Sequence, residues 1–144
     1  MTAQQESTWA SEGGVHVVEL RIPCRPEFVS VARLAVAGIA NRLHFTVEEI
    51  EDVKLAVAEA CTSAIQRSPG AKEIAIVCEV APEELRIVVR DRGVHDLDSP
   101  ETAELGSGGL GVFLIRSLMD QVEFHSNERE GTVLRMVKRA GGAG

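Results

Sequence analysis

"GSGGLGVFLIRSLMDQVEF" occupies Gly106–Phe124, and its reading decides the fold. Four of its first six residues are glycine, and an apolar helical pattern follows at once. Glycines ahead of a helix are where backbone N–H groups meet a phosphate, because the first turn leaves its donors unpaired and the helix dipole favours an anion. Gly106, Gly108 and Gly111 also fit the spacing G-x-G-x-x-G. A dinucleotide site, however, needs a strand directly before the glycines inside a βαβ unit. Here the preceding strand pattern ends near Asp91, and too little chain follows for a dinucleotide-binding fold. No Gly-Lys-Ser/Thr follows the glycines either, which removes a Walker A loop.

Working outward, the chain alternates in character. "VHVVELRI" (15–22) has Val18, Leu20 and Ile22 at period two, a strand signal closed by Pro23 and Pro26. "EFVSVARLAVAGIANRL" (27–43) is expected to be a helix with Val31, Leu34, Ala35 and Gly38 on one face. Thr46 and Glu49 form a capping box that opens a second helix, ended near Ser68 by Pro69-Gly70. Its Ile50, Val53, Val57, Cys61 and Ala64 recur every three or four residues as a core stripe. "EIAIVCEV" and "LRIVVRD" alternate as strands, and the short "APEE" between them implies an antiparallel hairpin. Residues 92–108 carry no periodic apolar set; the stretch is long for a connection and reads as a lid, a binding loop or a disordered segment. After the Gly109–Met119 helix come strands near 121–126 and 132–138, joined by "NEREG". Phe113, Leu114, Leu118 and Met119 are expected in the core.

The order β-α-α-β-β-loop-α-β-β implies an α+β fold: a two-layer sandwich whose mostly antiparallel sheet is covered on one face by helices. One domain over 15–139 is expected, with polar tails at 1–14 and 140–144. The composition, 44% hydrophobic and 26% charged, is that of a globular protein. A net charge of −7 argues against a nucleic-acid partner, since no basic stripe is present to displace counterions. No apolar run reaches the length that spans a bilayer, and "MTAQQESTWASEGG" lacks the basic and apolar regions of a secretory signal. Cys24, Cys61 and Cys78 show no C-x-x-C pairing, which fits buried thiols in a reducing cytoplasm. His16, His44, His95 and His125 show no ligand spacing.

Two further patches bear on the glycines. In "LAVAEACTSAIQRSP", Glu59 lies opposite the core stripe and Ser63 stacks on it at i+4. In "VVRDRG", Asp91 ends a strand, where a carboxylate can accept from an exocyclic amine while Gly93 lets a ring come close. Each has a plainer reading: most helical glutamates are solvated, and an aspartate at a strand end commonly starts a turn.

Taken together and in order, the patches resemble the Bergerat-fold ATP-binding superfamily, and within it the anti-sigma-factor serine kinases of the RsbW and SpoIIAB type. "LAVAEACTSAI" is similar to the superfamily's N box, Asp91-Arg92-Gly93 to its D-x-G box, and "SGGLGVFLIRSLMDQV" to its glycine box. Gly131-Thr132 is similar to a late G-T in a closing strand. The resemblance implies ATP with Mg²⁺, and Glu59 as the base acting on the attacking oxygen. It further implies Asp91 as the acceptor of the adenine amine, with Gly93 beside the base and Thr132 supporting the pocket. Gly108, Gly109, Leu110 and Gly111 would lie around the phosphates.

The family pattern has asparagine where this chain has Ser63. Two readings of Ser63 stand: a Mg²⁺ contact, or a small packing residue. Two functions follow. One is an anti-sigma factor that is also a serine/threonine kinase, holding a sigma factor and phosphorylating a STAS-domain anti-anti-sigma protein, usually as a homodimer. The other is a binding module that uses nucleotide occupancy to choose partners without efficient transfer.

Overall fold

The computed structural model describes residues 15–67, 71–91, 109–127, 129 and 131–141. Apolar alternation builds its sheet: β1 (His16–Pro23), β2 (Glu73–Ala81), β3 (Glu84–Asp91), β4 (Gln121–Asn127) and β5 (Gly131–Arg139). The spatial order is β1-β2-β3-β5-β4, and every neighbouring pair is antiparallel. Ile74, Ile76 and Cys78 of β2, Leu85, Ile87 and Val89 of β3, and Leu134 and Met136 of β5 are buried. Arg86 and Arg90, between them in β3, point to the exposed face.

The helices are α1 (Val29–Ala40), α2 (Val47–Arg67) and α3 (Gly109–Leu118). A single 3₁₀ turn, Pro26–Phe28, precedes α1. The capping box forms as read. Thr46 N–H donates to Glu49 Oε1 at 2.8 Å, and Glu49 N–H donates to Thr46 Oγ1 at 3.1 Å. These two bonds satisfy donors that the first turn leaves open. The stripe on α2 buries Val53, Ala56, Val57, Ala60, Cys61 and Ala64. Packed against both α1 and α3, α2 is the central helix of the layer. The α+β sandwich, with its antiparallel sheet covered on one face, therefore stands. None of the described helices is long and apolar enough to cross a membrane.

Two expectations are corrected. The buried face of α1 is Ala32, Val36 and Ala40, not Val31, Leu34, Ala35 and Gly38; Leu34 is 73% exposed. Small alanines let α1 approach α2 closely, and this outweighs the burial of one leucine. In α3, Phe113 is 70% exposed, while Val112, Ile115 and the following Met119 take the core positions. Leu114 and Leu118 are half-buried.

A buried lysine ties the layers together. Lys138 Nζ of β5 donates to the Leu118 carbonyl at the end of α3 at 2.6 Å. It also donates to Asp52 Oδ2 of α2 at 3.2 Å. A cation at a helix C-terminus meets unpaired carbonyls and the negative end of the dipole. This contact helps fix α3, and hence the glycine box, against α2.

Candidate nucleotide site

α2 carries the site along one face. Glu59, Ser63 and Arg67 are spaced i, i+4, i+8, so they stack on that face over about 12 Å of helix axis. Ser63 Oγ donates to Glu59 Oε2 at 3.4 Å, a long bond that holds the two side chains together. Both residues are half-buried.

The start of α3 lies directly on this pair. A Cβ at Gly111 would fall 2.5 Å from Ser63 Oγ and 2.8 Å from Glu59 Oε2. Those separations are below any real carbon–oxygen contact, so glycine is what lets α3 come this near. The glycine box and the N box, far apart in sequence, therefore meet. Gly109 and Leu110 form the first residues of α3, where backbone N–H groups are open to an anion. Gly93 and Gly108 lie outside the described residues, as does the 92–108 loop.

The far end of the α2 face holds the second carboxylate. Asp91, the last residue of β3, is buried. Its backbone partner across β5 is Thr132, also buried, and Thr132 in turn faces Ser126 of β4. The Thr132 and Ser126 hydroxyls share a hydrogen bond of 3.0 Å. Thr132 thus sits next to Asp91. Gly131, just before it, has φ 78°, a left-handed conformation that costs glycine little.

Sequence reasoning missed Arg67. Its Nη2 lies 3.6 Å from Asp91 Oδ2, and the two side chains are 10% and 1% exposed. Its guanidinium also lies over the Phe124 ring, 5.3 Å from the centroid, in cation–π range. Burial pushes the Arg67 guanidinium below its ordinary pKa, and Asp91 pulls it back up. Asp91 reaches further: the Cys24 thiol is raised by burial first and by the Asp91 charge second. The signal available in the sequence was the i, i+4, i+8 spacing from Glu59. Ser126 carried no such signal, because only strand pairing brings it to Thr132.

Glu59 and Ser63 offer two oxygens side by side, the donor chemistry that Mg²⁺ takes. Among the described residues, no group of three His, Cys, Asp or Glu side chains converges as a metal cage. The donor set therefore fits an ion held mostly by phosphate oxygens and water, with one or two protein contacts. The buried thiols are poor ligands at neutral pH: burial raises Cys61 to about 12 and Cys78 to about 11.

Comparison with known proteins agrees with the fold. Residues 22–138 match the histidine kinase-like ATPase domain family. The serine-protein kinase RsbW of Bacillus pumilus is 38% identical over 141 residues, covering 86% of each chain. That of Halalkalibacterium halodurans is 40% identical over 134 residues, covering 84% of this chain and 82% of the relative. Among solved structures, the RsbU and RsbW domains of Rv1364c from Mycobacterium tuberculosis superpose with a TM-score of 0.66 at 15% identity. The match covers 85% of this chain and 31% of that one. The histidine kinase domain of the blue-light activated kinase of Erythrobacter litoralis EL346 gives 0.52 at 19% identity, covering 83% of this chain and 62% of that one. At such identities the two structures speak for the fold alone. Fold, ordered motifs and curated relatives converge: the chain belongs to the histidine kinase-like ATPase family and, within it, to the serine-protein kinase RsbW group.

Proposed function

We propose that this chain is an anti-sigma factor and ATP-dependent serine/threonine kinase acting on a STAS-domain anti-anti-sigma protein. The observation that carries the reading is the contact of Gly111 with Glu59 and Ser63 at one end of the α2 face, with Asp91 at the other. About 12 Å of helix separates the two ends, the scale of a nucleotide from base to phosphates. The base would lie by Asp91 and Thr132, with Gly93 beside it. The phosphates would lie at Gly108, Gly109, Leu110 and Gly111.

Glu59 would accept the proton of a partner's hydroxyl as its oxygen attacks the γ-phosphorus. The bond from that phosphorus to the β,γ-bridging oxygen breaks, and ADP leaves. Positioning and charge neutralisation do most of the work in such transfers. When bound, Mg²⁺ would neutralise charge between the β- and γ-phosphates, and Ser63 is the residue of this chain that would contact it. The Ser63 bond to Glu59 also holds the base against the start of α3. The expected setting is the cytoplasm, with a sigma factor and the STAS protein as partners and a second copy of the chain completing a homodimer.

A second reading is favoured by one observation: the Ser63 hydroxyl is engaged with Glu59. A serine committed to the base is a weaker metal contact. The chain would then choose partners by nucleotide occupancy and transfer phosphate poorly. Incubation with labelled ATP, Mg²⁺ and a candidate STAS protein separates the two. Label on the partner is expected; nucleotide binding without label would favour the second reading.

A further inference from the structure

Arg67 has no role in the reaction just described, yet its placement is costly. The side chain is nine-tenths buried, and Nε is buried with no hydrogen-bond partner among the described residues. An unmet donor of this kind is costly, more so when it carries charge. Native interiors keep few such groups, and each calls for a reason. The guanidinium is also fixed in orientation, with Nη2 toward Asp91 Oδ2 and its face over Phe124. One rigid fork therefore sets an N–H donor beside a carboxylate acceptor at the end of β3.

That pair is the complement of adenine's edge. The exocyclic amine donates, and the ring nitrogens on either side of its carbon, N1 and N7, accept. Guanine presents the reverse at the same place, a carbonyl oxygen facing the Asp91 carboxylate. We propose that Arg67 is a specificity-determining residue that donates from Nε to the ring nitrogen next to the adenine amine, while Asp91 takes the amine. The proposal rests on the nucleotide reading of the site and adds to it the residue that reads the second position of the base. Arg67 suits this because its fork cannot be deprotonated and holds its geometry, which a lysine's single ammonium does not.

The test is calorimetry with ADP, 1-deaza-ADP and 7-deaza-ADP on the wild type, Arg67→Lys and Arg67→Met. Each deaza analogue lacks one acceptor nitrogen and keeps the amine. In the wild type, one analogue is expected to bind about tenfold or more weakly than ADP, the scale of a charged hydrogen bond. In both variants that difference should shrink toward zero, because the donor that reads the nitrogen is gone. Arg67→Lys keeps a cation beside Asp91, so it covers the case in which Arg67→Met fails to fold. Equal binding of all three nucleotides to the wild type overturns the proposal without any variant. It is the result expected if a buried water satisfies Nε instead. An analogue penalty that persists undiminished in Arg67→Lys overturns it as well. A wild type that binds no ADP at millimolar concentration removes the nucleotide site itself, a failure distinct from either of these.

Discussion

Gly111→Ala isolates the contact between the glycine box and the N box. The added methyl would lie 2.5 Å from Ser63 Oγ and 2.8 Å from Glu59 Oε2. Both neighbours are side-chain ends, so the backbone need not move: Ser63 can turn to another rotamer and Glu59 can swing away. The stability balance is small. Alanine gains up to about 1 kcal/mol over glycine in a helix, less near the first turn, and forced repacking costs about 1–3 kcal/mol. The net expectation is a loss of about 0–2 kcal/mol. The functional cost is larger, because the two side chains displaced are the proposed base and the metal contact. A misplacement near 1 Å at such a site costs on the order of a hundredfold in rate. The assay pairs a thermal melt with a time course of STAS-partner phosphorylation and an ADP titration. Transfer should fall at least tenfold while the melt shifts by only a few degrees. A Gly111→Ala protein that transfers phosphate as fast as the wild type would mean that Glu59 and Ser63 do not act where α3 meets α2.

Gly38→Ala is the opposite case: Gly38 lies inside α1 with nothing among the described residues within 4 Å of an added Cβ. It should stabilise by about 0.5–1 kcal/mol, and an unchanged or lower midpoint in a denaturant titration would count against the placement of α1. Asp91→Asn should weaken ADP binding about ten- to a hundredfold, whereas the exposed Glu83→Gln should leave it unchanged; equal calorimetric affinities for the two would remove Asp91 as the adenine acceptor. Ser63→Asn, which restores the family residue, should speed partner phosphorylation in Mg²⁺ and barely alter ADP affinity without it, and no gain in rate would show that Ser63 is not a metal-site defect. Glu59→Ala should stop transfer in either background with nucleotide still bound. Alkaline pH should destabilise the fold through Cys61 and Cys78, whose thiols rise from 9.0 to about 12 and about 11 on folding. Above pH 9 the unfolded chain gives up protons that the folded chain keeps, so stability present below pH 9 is lost at about 1.4 kcal/mol per pH unit for each thiol, up to about pH 11 for Cys78 and about pH 12 for Cys61. Unfolding curves at pH 8.5 and 10 for the wild type and Cys61→Ala/Cys78→Ala check this, and equal losses in both proteins would refute it.

The parts of the fold legible in the sequence were those set by local rules. Strand alternation in 74–80 and 85–89, the Thr46–Glu49 box and the stripe on α2 each depend on residues within a few positions of one another, and each formed as read. The helix faces that failed did so for one physical reason. α1 and α3 are apolar nearly all round, so periodicity offers several stripes and packing distance chooses among them. In α1 the choice fell on Ala32, Val36 and Ala40, the smallest set, which leaves Leu34 outside. In α3 it fell on Val112 and Ile115, which turns Phe113 out.

The site divides in the same way. Glu59 and Ser63 are one helical turn apart, so their pairing follows from spacing alone. Asp91 was legible as a strand-end carboxylate, but its burial beside a cation was not, because Arg67 reaches it only once α2 is laid across the sheet. That contact changes what Asp91 is. A buried carboxylate with no counter-charge tends to neutralise itself by binding a proton, and it would then be a weaker acceptor. Arg67 supplies a counter-charge to the buried Asp91 side chain, and breaking a buried pair of this kind by removing the cation costs about 3–5 kcal/mol. Ser63 and Arg67 lie one helical turn apart on this face. In the proposed roles Ser63 would bear on how well phosphate moves and Arg67 on how strictly the base is chosen, so variants at the two positions should change rate and base selectivity separately.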